Sequence, residues 1–292
     1  MKPAPFDYRD PETLEETLAL LAEHGDDAKI LAGGQSLIPL LNFRLARPDV
    51  LVDINRVRPL AGIEDRPEGL RIGAATRQSA LERSSHVAEQ QPLLTEVIRY
   101  VAHAAIRNRG TVGGSLAHAD PAAELPVAMT ALDASLITSS RRGERRIAAE
   151  EFFVSHLTTV LDDDEVLVAV DVPRAPTGTR VAFEEFARRH GDYALGGAAV
   201  VLTADAAGAC TRARVTLLAA GDVPLRAHAA ERLLEGAVVD AAVAREAAAV
   251  AVGDIAPVSD GHGKGNYRSR VIESMCERAI ARAAAPEEGR KA

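Results

Sequence analysis

Ala32-Gly33-Gly34-Gln35-Ser36 is followed later in the chain by a similar segment, Thr111-Val112-Gly113-Gly114-Ser115. Each segment lies between an apolar run and a helix-like run, where glycine allows a sharp turn that leaves backbone N–H groups free. Free N–H groups at a turn or helix start form a concave site for an anion, most often phosphate. One Gly-Gly turn indicates little, but two in one chain predict two loops that close on one diphosphate.

Composition limits the classes of protein to consider. With 292 residues, 47% of them hydrophobic, the chain can bury the cores of two or three compact units. A net charge of −8 argues against nucleic-acid binding. No apolar run approaches the length of a membrane span, and the first residues lack the apolar stretch of a secretory signal. Cys210 and Cys276 are too few to ligate an iron–sulfur cluster and indicate free thiols in a cytoplasmic protein.

The sequence contains no convincing signature of a Rossmann, P-loop or metal site. No Gly-x-Gly-x-x-Gly follows a strand, so a Rossmann site is not expected. Gly261-His262-Gly263-Lys264-Gly265 resembles a P-loop, but no Ser or Thr follows the lysine. His103 and His118 flank the second glycine segment without a partner at metal-ligand spacing. We therefore predict neither a metal site nor a catalytic acid–base residue.

Periodicity predicts three consecutive units. The first has α/β character. The second begins near Leu60 and contains a helix capped by Thr76, an apolar helix and a sheet. The third follows Pro173-Arg174-Ala175-Pro176-Thr177-Gly178 and is α+β. The predicted strands are residues 29–32, 50–54, 70–74, 134–138, 146–148, 165–173 and 211–218, and the third unit also contains the segment 180–188 and an apolar run at residues 196–203. The predicted helices include residues 13–24, 36–43, 76–81, 93–103, 121–132, 226–234, 241–252 and 267–283.

Three segments together resemble a known family. They are Lys29-Ile30-Leu31-Ala32-Gly33-Gly34-Gln35-Ser36-Leu37, Ile106-Arg107-Asn108-Arg109-Gly110-Thr111-Val112-Gly113-Gly114-Ser115 and Asp120-Pro121-Ala122-Ala123-Glu124-Leu125-Pro126. They are similar to the FAD-binding medium subunit of molybdenum hydroxylases, the family of carbon monoxide dehydrogenase and xanthine dehydrogenase. The resemblance covers essentially the whole chain, including Phe6-Asp7-Tyr8.

The resemblance implies an α+β fold. A bipartite FAD-binding domain of the vanillyl-alcohol-oxidase (PCMH) type is followed by a small α+β C-terminal domain. We expect FAD-binding subdomain 1 at residues 1–58, FAD-binding subdomain 2 at residues 59–175 and the C-terminal domain at residues 176–286. Residues 287–292 would form a flexible tail.

The resemblance also implies which residues bind FAD. The first loop would hold the diphosphate and a ribose, and the second loop would close on the diphosphate and ribityl chain from the other side. The implied cofactor-binding residues are Lys29, Ile30, Leu31, Ala32, Gly33, Gly34, Gln35, Ser36, Leu37, Val101, Ala102, Gly110, Thr111, Gly113, Gly114, Ser115, Ala117, Asp120, Glu124, Leu167 and Tyr193.

Some of these residues have alternative interpretations. Glu124 would lie near the flavin's sugar chain, or it could be a carboxylate that interacts with a helix dipole. Tyr193 would lie near the isoalloxazine ring, or it could be a half-buried core residue. Asp53 is interpreted as a turn residue at a strand end. Relatives often carry Lys where this chain has Glu184 or Glu185, so flavin tuning is expected to differ.

By resemblance, the chain is the electron-transfer subunit of a larger oxidoreductase. A small subunit with two [2Fe–2S] clusters and a large subunit with the molybdopterin cofactor would be its partners, in a dimer of heterotrimers. Electrons would pass from the clusters to FAD and then to an external acceptor. The alternatives are a stand-alone FAD-dependent oxidoreductase of the same superfamily and a non-redox binding subunit. The sequence leaves open both the substrate and the acceptor, which could be NAD⁺, oxygen, quinone or a carrier protein.

Overall fold

The first glycine segment follows a strand of a small parallel sheet. The sheet has the order β1-β3-β2, formed by β1 (Asp7–Arg9), β2 (Ala28–Leu31) and β3 (Val50–Asp53). Because all three strands run in the same direction, their carboxyl ends meet at one edge. The computed structural model describes residues 2–253 and 255–285, so the predicted tail at residues 287–292 lies outside the described residues.

Helix α1 (Leu14–His24) connects β1 to β2. It begins with a capping box, in which the Thr13 hydroxyl accepts from the N–H of Glu16 and the Glu16 side chain accepts from the N–H of Thr13. Leu18 and Leu21 are buried against the sheet. After β2 and the glycine segment comes α2 (Leu37–Asn42), where Ser36 occupies the cap position without a capping hydrogen bond.

A second, antiparallel sheet has the order β4-β5-β10-β6-β7. Its strands are β4 (Ile63–Arg66), β5 (Gly69–Gly73), β6 (Ser135–Ser140), β7 (Gly143–Ala148) and β10 (Val166–Pro173). Between β5 and β6 lie α3 (Gln78–Arg83), α4 (Ser85–Gln90), α5 (Pro92–Val97), α6 (Ala104–Arg107), α7 (Val112–His118) and α8 (Glu124–Ala131). Between β7 and β10 lie α9 (Ala149–Phe152), β8 (Phe153–Ser155) and β9 (Thr158–Thr159).

Two predictions for this unit were wrong. The apolar helix predicted at residues 93–103 ends at Val97, because the chain turns and Ala102 adopts φ 43°, which a right-handed helix does not allow. The Arg107 guanidinium holds that turn by donating to the carbonyls of Val101 and Ala102 at 3.0 and 3.1 Å. Thr76 does not cap a helix, since its hydroxyl exchanges hydrogen bonds with the backbone of Gly62.

The third sheet is antiparallel, and its strands follow the chain order. They are β11 (Thr179–Phe186), β12 (Gly196–Ala204), β13 (Cys210–Leu218) and β14 (Leu225–Arg226). Helices α10 (His228–Leu234), α11 (Ala241–Ala251) and α12 (Gly265–Ala284) cover one of its faces. The opposite face packs on the second unit: Val181 and Phe183 of β11 join the core around the second sheet, while Ala182 between them joins the helices.

An ion-pair cluster reinforces this packing between the second sheet's unit and the third. Asp133, which adopts φ 50°, precedes β6, and its carboxylate accepts from Arg214 and Arg226 at 2.8 Å each and from Arg212. Burial alone would raise the pKa of Asp133, but these guanidinium groups outweigh it and lower the pKa. No helix among residues 2–253 and 255–285 combines the length and apolar character needed to cross a membrane.

Replacing Asp133 should therefore weaken the contact between the two units. Asp133→Asn removes the carboxylate that Arg212, Arg214 and Arg226 share, although Arg214 and Arg226 keep Glu235 and Glu231. We expect unfolding to become easier by about 2 kcal/mol, less than for a fully buried pair because Asp133 is 30% exposed. Chemical denaturation measures the change. The control is Asp162→Asn, which removes an ion pair to Arg142 from a side chain that is 60% exposed. Equal effects of the two variants would contradict the proposed role of Asp133.

Candidate functional site

The first glycine segment exposes a run of backbone donors. Within the described part of the chain, the N–H groups of Gly33, Gly34, Gln35, Ser36 and Leu37 have no hydrogen-bond acceptor. Gly34 adopts φ 74°, and the Gln35 side-chain amide folds back to donate to the Gly33 carbonyl at 3.0 Å. Successive free N–H groups around a left-handed residue form a concave anion site. The N–H groups of this segment could therefore bind a diphosphate directly, without a metal ion between them.

Hydrogen bonds from two side chains, Asn55 and Arg77, hold this loop in place. Asn55 follows β3 and donates to the Ala32 carbonyl at 2.8 Å. Arg77 donates to Asn55 Oδ1 at 2.6 Å and also to the carbonyl of Arg109. Sequence reasoning missed Asn55 and Arg77. The usable signal for Asn55 was the prediction of two strands around the loop, because parallel neighbours bring the residues after them to one edge.

The second loop lies directly against the first. A Cβ atom on Gly33 would come within 2.5 Å of the Arg109 carbonyl oxygen and within 2.7 Å of Gly110 Cα. A Cβ on Gly114 would lie 3.6 Å from Ala32 Cβ. The structure thus brings together the two glycine segments that the sequence paired, at a distance that only glycine allows at position 33.

The second loop differs from the first in its hydrogen bonding. Gly113 donates to the Ala74 carbonyl at 2.8 Å, Gly114 to Thr111 Oγ1 at 3.0 Å and Ser115 to the Thr111 carbonyl at 3.2 Å. The expectation that both segments leave their N–H groups free was wrong for this one, because Thr111 caps α7 and accepts from Gly114 and Ser115 while the Ala74 carbonyl accepts from Gly113. The second loop instead presents a capped helix start to the first.

The other residues predicted for the site differ in burial and in their position in the fold. Val101 and Leu167 are 8% and 5% exposed and belong to the core of the second unit. Lys29, Ile30 and Leu31 form most of β2 and lead into the first loop. Further along, Ala117 is exposed on α7.

A group of acidic residues lies beyond α7. Glu124, the first residue of α8, is 8% exposed; burial raises its pKa to about 7, and the charge of Asp120 adds to the effect. Burial also raises the pKa of Glu185 to about 8, with Glu124 contributing. Glu185 Oε2 is buried without a hydrogen-bond partner in the described residues. Glu185 lies two residues after Phe183 on β11, and residues at this spacing share one face of a strand. Glu185 therefore lies on the face towards the second unit.

Tyr193 lies near the same group. The residue is 66% exposed, so the alternative of a half-buried core tyrosine is wrong. Loss of water around its hydroxyl raises the pKa of Tyr193, and the charges of Asp120 and Glu124 raise it further. The second glycine segment forms the first turn of α7, which has seven residues and a length of about 10 Å, and Asp120 and Glu124 follow the other end of this helix in the chain. That separation suits a ligand with a diphosphate at one end and a ring system at the other.

Comparison with known proteins identifies the family. Residues 4–175 match the family described as the FAD binding domain in molybdopterin dehydrogenase, and residues 181–283 match the CO dehydrogenase flavoprotein C-terminal domain. The chain belongs to this family of FAD-binding medium subunits of molybdenum hydroxylases, which are oxidoreductases.

Individual relatives agree over nearly the full length. The 6-hydroxypseudooxynicotine dehydrogenase complex subunit alpha of Paenarthrobacter nicotinovorans is 49% identical, over 97% of this chain and 96% of the relative. The carbon monoxide dehydrogenase medium chain of Afipia carboxidovorans is 38% identical, over 98% and 99%. A solved carbon monoxide dehydrogenase from Hydrogenophaga pseudoflava superposes with a TM-score of 0.95 at 36% identity, covering 97% of this chain and 98% of that one. The first two are named as parts of multi-chain enzymes.

The close contact at Gly33 leads to a direct test. Gly33→Ala should push the two loops apart, because its Cβ would meet the backbone of Arg109 and Gly110. We expect FAD to bind at least about tenfold more weakly, equivalent to about 1.4 kcal/mol. Fluorescence titration of FAD measures the affinity. Gly221→Ala is the control, since nothing lies within 4 Å of the added Cβ; a similar loss in both variants would contradict the prediction.

The raised pKa of Glu185 predicts a pH-dependent stability. The folded chain keeps this proton up to about pH 8, whereas the unfolded carboxyl releases it near 4.5. Stabilisation by Glu185 is therefore fully present below pH 4.5 and is lost as the pH rises towards 8. Glu185→Gln removes this dependence and should raise Tm relative to wild type at pH 8 far more than at pH 5. Thermal denaturation at both values tests it, with Glu151→Gln, exposed on α9, as the control. A pH-independent difference would contradict the prediction.

Proposed function

We propose that this chain is the subunit through which electrons leave a heteromeric molybdenum hydroxylase. Electrons arrive singly from the [2Fe–2S] clusters of a small partner subunit, and a large partner subunit carries the molybdenum cofactor and oxidises the substrate. The observation that carries this proposal is the run of free N–H groups from Gly33 to Leu37, which faces the second glycine loop. Bound FAD supplies the ability to accept electrons one at a time and to hold two.

The chain's own residues position the cofactor and tune its surroundings. In our proposal, the N–H groups of the first loop neutralise the diphosphate while Asn55 and Arg77 keep the loop in place. The sugar chain follows α7 towards Glu124, and the exposed ring of Tyr193 lies against the isoalloxazine ring. The remaining contacts are those that the resemblance implies. The four domain ranges also stay predictions.

An exposed apolar patch next to the first loop supports a role as a subunit. Phe43 and Leu45 are 64% and 75% exposed, and Ile38 on α2 is 39% exposed. Large apolar side chains clustered at a surface mark sites of protein association. We propose that a partner subunit covers this patch. The dimer of heterotrimers and the cytoplasmic location likewise stay predictions.

The decisive experiment is purification of the native assembly through an affinity tag on this chain. We expect one FAD per chain after acid release, together with iron and molybdenum in about a four-to-one ratio, as two [2Fe–2S] clusters and one molybdenum centre require. FAD without iron or molybdenum would favour the stand-alone oxidoreductase. An assembly without flavin would overturn the proposed function and favour a non-redox subunit.

The apolar patch can be tested separately. Phe43→Asp places a charge where we expect a partner, and it should reduce the amount of co-purifying iron and molybdenum per chain by about tenfold, since burial of an unpaired charge costs several kcal/mol. Val238→Asp is the matched control, because Val238 is 66% exposed elsewhere on the surface. Unchanged metal content in the Phe43 variant would show that the patch is not covered in the assembly.

A further inference from the structure

A second surface, distinct from the apolar patch beside the first loop, surrounds the loop that carries Tyr193. This loop, residues 187–194, connects β11 to β12, and the N–H of Leu195 closes it by donating to the Phe186 carbonyl at 2.8 Å. At its tip, the rings of His190 and His103 lie with centroids 6.4 Å apart, and Gly191 packs on His103. The loop therefore belongs to the third sheet but reaches the unit that carries the second glycine loop.

The base of this loop lies beside an open apolar cavity. The cavity has a volume of about 440 Å³ and is lined by Phe186 and by one side of α12, namely Tyr267, Arg270, Val271, Ser274 and Met275. Phe186 and Tyr267 are 40% and 41% exposed. Arg188 connects the loop to the segment before α12 by donating to the His262 carbonyl at 3.2 Å.

This surface is basic although the chain carries a net charge of −8. Arg188, Arg189 and Arg270 are exposed, and among the described residues none of them has a carboxylate within 4.0 Å. On α12, Tyr267, Arg270, Ser274 and Arg278 follow one another at three- and four-residue spacing and form one exposed stripe. Glu273 and Glu277 lie beside this stripe, and Glu277 pairs with Arg245. Asp192 is the one acidic residue in the loop. We call Phe186, Arg188, Arg189, Tyr267 and Arg270 the basic surface.

Its composition fits a protein partner. Tyr, Phe, Met and Arg are enriched in protein interfaces, whereas Asp, Glu and Lys are depleted. Unpaired arginines around a shallow apolar centre attract an acidic protein over a distance and speed its encounter. Transient redox encounters use small surfaces of this kind, while permanent interfaces are larger and more apolar.

We propose that the basic surface is the docking site of the external electron acceptor, and that this acceptor is an acidic protein carrying one electron at a time. This inference rests on the proposed function, because Arg188 and Arg189 belong to the loop that carries Tyr193, and the proposed function places Tyr193 against FAD. Each encounter moves one electron from the reduced cofactor to one carrier. Two carriers are thus reduced for every FADH₂ oxidised to FAD, and two protons pass to water.

The test uses the purified assembly, whose FAD content is measured first, so that failure of the proposed function is recognised before the acceptor is examined. The flavin is reduced photochemically and mixed in a stopped-flow instrument with oxidised plastocyanin, an acidic one-electron carrier, or with cytochrome c, a basic one. We expect the second-order rate constant for plastocyanin to fall by at least about tenfold as ionic strength rises. The rate constant for cytochrome c should not fall.

Variants locate the effect on the surface. The double variant Arg188→Gln/Arg270→Gln should lower the plastocyanin rate constant at low salt by about tenfold and leave oxidation by molecular oxygen unchanged. The matched control, Arg58→Gln/Arg141→Gln, removes two exposed arginines elsewhere and should retain at least half of the wild-type rate constant. Equal rate constants in the two double variants would overturn the proposal. Loss of iron and molybdenum from the Arg188/Arg270 variant would also overturn it, since the surface would then be a permanent subunit interface.

Discussion

The close approach of two backbone segments at Gly33 is the constraint on which the rest of the site depends. The first loop comes from a parallel sheet and the second from a separate antiparallel unit, and they meet where a Cβ would lie 2.5 Å from a carbonyl oxygen. Since this contact leaves no room for a side chain, the separation of the two loops is set by main-chain atoms. The network of Asn55 and Arg77 then holds both loops at that separation.

The two loops have similar sequences but differ in the hydrogen bonding of their backbone N–H groups. The N–H groups of the first loop have no acceptor among the described residues, while those of the second donate to Thr111 and Ala74. The difference arises from where each helix begins. Thr111 caps α7, so the second glycine pair lies in the first turn of that helix, whereas α2 begins only at Leu37, after the first pair, and its cap residue Ser36 makes no capping hydrogen bond. Hence the first loop can bind an anion through its backbone, and the second places a capped helix start opposite it.

Much of this architecture could be predicted from the sequence, because its signals are local. The periodicity of helices and strands and the glycine pairs depend on residues that are close in sequence, and the resemblance identified the family. Tertiary contacts decided what local patterns could not. The segment 98–103 is apolar enough for a helix, but Arg107 bonds its carbonyls and turns it instead. The approach of Arg77 to the loops depends on tertiary packing that the sequence pattern does not show, whereas the two predicted strands around the first loop could have indicated Asn55.

The loop at residues 187–194 has a consequence for how the molecule behaves without its cofactor. It is anchored in the third sheet, yet its tip rests on His103 in the preceding unit. Any ligand held jointly by Tyr193 and the glycine loops would act as a non-covalent cross-link between these units, and binding energy would appear as resistance to their separation. Binding of the cofactor then stabilises the contact between the units. The chain without cofactor is therefore the form that proteases cleave most easily between the units.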